Sequence, residues 1–409
     1  MDHGAIEREL AALAAGASRD LDRECDLRAR QYIARRVEPQ FTVASADFAA
    51  DPYLICADRF WNLKFTQMPT LATAVDCAGW IDEHVEPEHR EAVSEKWAMG
   101  YAFITRDSVE SAGEIADATA DILAADPAGG RAYFAVLYHA GKLRANLRFD
   151  DLYHFLDSSL LSVSISRSRW GTPLFVALQS FAALGSRTYA TGHARTLFDR
   201  AWSSPERTRE TVDVALNGLA IGLDFEGRGE LLRARATEAV AERPGDHMFH
   251  FRLAIGLRLS GEFDAAFDSV DTALRLLPAI GWRGSQNLLL EQYTAEREKI
   301  RTAQDGARQA EQLREFGDQH RRDIAALAEQ YTLQLRDLSD SALRGQIRSV
   351  ELVSLFAAVI AFAVGSLNIT LNGNLGLAAR LWMIAGLGGG LAIFALIVVG
   401  GTWLITRRR

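Results

Sequence analysis

Residues 250–278 read HFRLAIGLRLSGEFDAAFDSVDTALRLLP, two short helical patterns separated by a glycine. Leu253, Ala254 and Leu257 share one face at helical spacing. Gly261 then ends that helix, because glycine enters the left-handed conformation without a steric penalty. A second helix begins with Phe263 and Ala266, and Ala273 continues its face. Pro278, just past the last turn, cannot prolong it. Small side chains at Ala254, Ala266 and Ala273 let the two helices cross closely.

The pattern repeats. Residues 213–246 and 247–280 align without a gap at a period of 34. Leu219 matches Leu253, Ala220 matches Ala254, Leu223 matches Leu257, and Gly227 matches Gly261. Ala239 and Ala273 correspond, as do Pro244 and Pro278. On these residues the second unit closely resembles the tetratricopeptide repeat (TPR) family. The first unit departs from that pattern with Gly229 and Leu232, where an aromatic and an alanine are usual. Two repeats cannot cover their own faces, and residues 174–184 with 192–202 read as a further helix pair upstream. Residues 133–145 with 149–161 read as a degenerate one. The resemblance covers about residues 171–280 and implies an all-α, helical-repeat solenoid that binds a protein or peptide partner. In that family the ligand lies along the inner face of the first helices. This implies Asn217, Ile221, Asp224, Met248, Phe251, Ile255 and Arg258, with Val214 beside them. The paired Lys and Asn pattern that grips a C-terminal carboxylate in some members is missing, so that ligand is not expected. The groove is mixed and apolar, open to a partner or to neighbouring helices.

Downstream the composition changes. Residues 352–371 (LVSLFAAVIAFAVGSLNITL) run 20 residues without a charge, and residues 381–405 run 25. A hydrocarbon core about 30 Å thick needs about 20 helical residues to cross. Two such stretches predict a C-terminal transmembrane hairpin. Arg344 and Arg348 precede it, Arg407, Arg408 and Arg409 follow it, and the turn holds only Arg380. The cation bias places both ends in the cytoplasm, so the expected location is the inner (cytoplasmic) membrane with two spans. Gly386 and Gly390 have the spacing that lets membrane helices approach closely. Neither span contains an ionisable residue, so no proton relay or charged filter is expected.

Residues 285–350 are charged, rich in glutamine and free of proline. Ile324, Ala328, Tyr331, Leu335, Leu338 and Ala342 recur at spacings of four and three, the seam of a coiled coil. A long helical stalk is expected, interrupted where Gly306, Gly317 or Gly345 weakens it. The organisation is then an N-terminal helical domain (1–170), repeats (171–284), stalk (285–350) and hairpin with basic tail (351–409).

Net charge is −8, which disfavours nucleic acid as a partner. Residues 41–130 hold 16 acidic against 5 basic side chains and read as a solubilised helical surface, with Trp61, Trp80, Trp97 and Phe103 as core aromatics. Residues 158–170 alternate briefly and read as a serine-rich loop. Cys25, Cys56 and Cys77 are widely spaced, which suits free thiols in a reducing compartment. No phosphate-binding loop, dinucleotide fingerprint, nucleophile elbow or zinc-protease motif occurs. The acidic turn at residues 82–89 has the wrong spacing for a metal on one helix face and contains Pro87, so it reads as a loop. No cofactor, no metal and no enzymatic activity are expected. The expected function is a membrane-tethered cytosolic scaffold that binds a protein partner, with homo-oligomerisation through stalk and hairpin. The alternative is a sensor whose spans assemble to permeabilise the membrane, a layout that resembles some bacterial defence and stress effectors.

Overall fold

The computed structural model describes residues 3–14, 21–125, 129–165, 171–277, 283–342, 349–371 and 376–407. Among them the chain is all-α, with 18 helices and one isolated β-bridge. It divides into two compact units, Met1–Gln304 and Asp305–Arg409.

The first unit opens with α1 (His3–Ala14) and α2 (Leu21–Arg35), followed by an extended segment. Trp80 Nε1 donates to the Pro39 carbonyl at 2.7 Å, and Val43 bridges to Val85, so this segment is pinned across the later helices. Next come α3 (Pro52–Gln67), α4 (Leu71–His84), α5 (Arg90–Ile104) and α6 (Ala112–Ala125). Asp51 caps α3 by accepting from the Tyr53 and Leu54 amides, with Pro52 at the first helical position. Trp61, Trp80 and Trp97 are buried and packed ring against ring, Trp80 on Trp97 at 5.9 Å. Phe103 is only half-buried.

Then follow α7 (Gly130–Ala145), α8 (Phe149–Ser158) and α9 (Leu160–Ser164). The stretch read as a loop from residue 158 therefore contains a short helix. Ser159 restarts the chain there by accepting from the Ser162 amide at 3.1 Å. Residues 166–170 lie outside the described residues.

Three helix pairs complete this part: α10 (Pro173–Gly185) with α11 (Thr191–Trp202), α12 (Arg209–Ile221) with α13 (Arg228–Glu242), and α14 (His247–Leu259) with α15 (Phe263–Leu276). Gly227 and Gly261, one period apart, both turn with positive φ, 78° and 80°. The two departures in the first repeat have a packing reason. A Cβ on Gly229 would fall 2.9 Å from Leu259 Cβ, so the missing aromatic lets α13 press against α14. Leu232, in place of alanine, fills the core beside it.

Then α16 (Arg283–Ala342) runs for 60 residues, about 90 Å at 1.5 Å per residue. Its start lies one period beyond α14. The position one period after Gly261 is Ala295, so the glycine turn is missing and the helix continues. Tyr293 and Ile300 are buried in the same core that begins at Ile6. The first unit thus includes the N-terminal helices, the helix pairs and the start of the stalk. Gly306 and Gly317 do not interrupt α16, and Gly345 lies outside the described residues.

The second unit holds the rest of α16 with α17 (Ser349–Leu371) and α18 (Leu377–Arg407). Among the described residues one stretch, Leu377–Phe394 in α18, is long and apolar enough to cross a membrane, and none of it is buried. The described apolar stretch of α17, Phe356–Ile369, is shorter. Arg344, Arg348, Arg408 and Arg409 lie outside the described residues.

Candidate partner-binding face

The inner-face residues lie on α12 and α14 and fall into two groups. Phe251 and Ile255 are buried, Met248 and Arg258 half-buried, and α16 covers this group from the same unit. Tyr293 stacks on Phe251 with ring centroids 4.4 Å apart. Its Oη lies 2.6 Å from His247 Nδ1 and 3.0 Å from Met248 Sδ. Arg258 Nε donates to Glu296 Oε1 at 2.5 Å, and Arg297 Nε to Asp271 Oδ1 at 2.8 Å. The second group stays open. Asn217 is half-buried, Ile221 is exposed with Leu223 next to it, and Asp224 is almost fully solvated beside Arg228. Val214 is buried.

Under this face lies a network of buried charge that joins the N-terminal helices to the pairs. Asp213 on α12 accepts from Arg144 Nη2 of α7 at 2.9 Å and from Arg252 Nη2 of α14 at 3.4 Å. Burial alone would raise the Asp213 carboxyl, but Arg252, Arg144 and Arg209 outweigh it and hold it well below the usual range. Arg209 grips Asp246 with two bonds, 2.7 and 3.1 Å, while Asp246 caps α14 through the Met248 amide. Each pair ties the start of one repeat to another element. Removing one member leaves a buried charge without its partner, so the network fixes the spacing of α7, α12 and α14.

A separate junction lies at Glu95 of α5. Its carboxylate accepts from Thr208 Oγ1 at 2.6 Å and from Tyr133 Oη at 3.4 Å. Burial pushes this carboxyl from 4.5 up to about 8. The Thr208 and Tyr133 bonds oppose that rise, while Glu91 and Glu210 add to it. A carboxyl raised on folding contributes fully below its unfolded value, and the contribution is lost as pH climbs through about 8. Glu95→Gln is expected to flatten the fall of stability between pH 5 and 8, by about 1.4 kcal/mol per unit at most. Urea unfolding at pH 6 and pH 9 measures it, and an unchanged slope contradicts the assignment.

In the second unit, Gly365 packs under Leu387, with a Cβ position 3.1 Å from Leu387 Cδ2, and Gly388 faces Phe362 at 3.7 Å. Gly390 lines a cleft of about 530 Å3 between α17 and α18, with Ala357, Ala361 and Phe394. Gly386 meets nothing within 4 Å. The contact within the chain therefore uses Gly365 and Gly388, and the Cβ position of Gly386 faces open space. At the acidic turn, Glu86, Glu88 and His89 approach within 4.8 Å but are largely solvated, and His89 pairs with Glu88.

No family model, curated protein or solved structure matches this chain. The functional reading therefore rests on the geometry.

The sequence left the groove open to a partner or to neighbouring helices, and α16 is the helix that covers part of it; the charge network was missed. Continuing the 34-residue period past residue 280 marks the start of α16 as the next first helix, and that signal was present. Arg144, Asp213 and Arg252 had only a weak one, charges set among apolar neighbours.

Proposed function

We propose that this protein is a membrane-tethered scaffold whose TPR-like helix pairs hold a protein or peptide partner. Its stalk and C-terminal hairpin keep that partner at the cytoplasmic face of the inner membrane. The observation that carries the reading is the continuity of α16. The helix that closes the array, with Tyr293 and Ile300 in the core, is the same helix that extends to Ala342, ahead of the apolar pair. The open end of the inner face, Asn217, Ile221 and Asp224, is the surface for first contact. The four residues under α16 become available where a partner displaces it. The cation-flanked α17 and α18 form the two spans, with α17 contributing residues 352–371.

A second reading, assembly of the spans into a pore, draws support from the open Gly386 on α18. The mass of the full-length chain in detergent separates the two. A scaffold is expected as a monomer or dimer. A ring of four or more favours the pore.

A further inference from the structure

Within the second unit, α17 lies along α16. The ring of Phe356 meets that of Tyr331 with centroids 5.9 Å apart. At the other end, Leu371 Cδ2 comes to 4.0 Å from the position of a Cβ on Gly317. Residue numbers rise along α16 as they fall along α17, so the two helices run antiparallel, for about 21 Å at 1.5 Å per residue. Ile324, Ala328, Tyr331 and Leu335, four of the six seam residues read from the sequence, are half-buried, whereas Leu338 is exposed. The adjoining flank, with Leu313, Phe316 and Leu327, remains exposed.

The same stretch of α16 carries Asp318, Arg321, Arg322, Asp323 and Glu329. Arg321 pairs with Asp318, and Gln319 donates to Asp323 at 2.9 Å. A helix with that charge density cannot enter hydrocarbon, whereas α17 has no charge from residue 352 to 371. Lying along α16 and lying in a bilayer are therefore mutually exclusive for α17.

We propose that the apolar seam of α16 is a cradle that covers one face of α17 in water, with Val359 and Val364 left exposed on the other, and that α17 must leave it to enter the bilayer. The proposal rests on the reading that α17 and α18 are membrane spans. It makes insertion a two-state event, controlled by a contact within one chain.

The test uses the full-length chain with Tyr331→Cys and Phe356→Cys, synthesised without lipid and then given phosphatidylethanolamine–phosphatidylglycerol vesicles. Cys25, Cys56 and Cys77 are buried and free, and burial pushes the Cys25 thiol up to about 12, so the new pair reacts first. A short bis-maleimide is expected to join the two positions within one chain before vesicles are added, and at least tenfold less after insertion. A reversible disulfide between the same cysteines should prevent protease protection of α17, and reduction should restore it. Gly317→Cys with Leu371→Cys repeats the test at the other end, should the first pair disturb folding. Equal linking before and after insertion, or a linked chain that protects both helices, overturns the proposal. If α18 alone is protected while linking is unchanged, the cradle fails as a switch and a one-span tether remains. If neither form yields a protected fragment, the membrane reading falls, and the proposal with it.

Discussion

Replacing Gly256 with alanine is expected to lower the unfolding midpoint by roughly 3–5 °C, from a net cost of about 2–3 kcal/mol. The added Cβ would sit 2.6 Å from the Arg233 amide nitrogen and 2.8 Å from its Cα. These are backbone atoms of α13, which cannot rotate aside as a flexible side chain can. The two helices must separate, which loosens the pair that carries Gly229 and Leu232. Alanine normally stabilises a helix interior over glycine by about 0.5–1 kcal/mol, so the sign at this site reports the close approach. Gly306 provides the opposite case, with nothing within 4 Å of its Cβ position. Gly306→Ala should stabilise α16 slightly. Thermal unfolding by circular dichroism reads both variants, and equal shifts would contradict the packing described for α13 and α14.

Lys142→Met should cost about 3–5 kcal/mol. The Lys142 side chain is fully buried, and its Nζ donates to the Pro69 and Ser108 carbonyls at 3.0 and 2.7 Å and to Glu110 Oε1 at 2.5 Å. Glu110 Oε2 also lies 2.8 Å from His139 Nδ1. Methionine preserves the volume and leaves two carbonyls and a carboxylate short of a donor. Adding Glu110→Gln removes the stranded charge, so the double variant should be more stable than Lys142→Met alone. Chemical denaturation of the four proteins gives the interaction energy. Burial alone would raise the Glu110 carboxyl, but the bonds from His139 and Lys142 outweigh it and hold it below the usual value. Its contribution is therefore present above the unfolded pKa and lost as pH falls through the lower folded one. The penalty of Lys142→Met should accordingly be largest near neutral pH and shrink in acid, where Glu110 takes up a proton.

These sites show what could be read from the sequence and what could not. The helix pairs at 209–276 were legible because each depends on local chemistry: a glycine at 227 or 261, and small residues at helical spacing. The length and apolar character of α18 were legible for the same reason, since composition alone sets them. Gly229 looked like a defect in the repeat because the reason for it, Leu259, sits on another helix. The cover over Phe251 and Arg258 depends on Tyr293 and Glu296, about forty residues downstream. The Arg144–Asp213–Arg252 network joins residues further apart still, and no periodicity records such a contact. The break at Ser159 turned on one hydroxyl cap, a detail that alternation in the sequence obscured.

In the proposed tether two helices cross the membrane and leave the large first unit in the cytoplasm. Labelling intact cells with a membrane-impermeant maleimide tests it most directly, using Gly376→Cys before α18 and Leu147→Cys on the exposed surface of the first unit. The buried native cysteines give low background. Gly376→Cys is expected to be labelled from outside, while Leu147→Cys reacts only after the cells are opened. If both are protected in intact cells and both react on lysis, α18 crosses alone or nothing crosses, and the two-span tether is wrong.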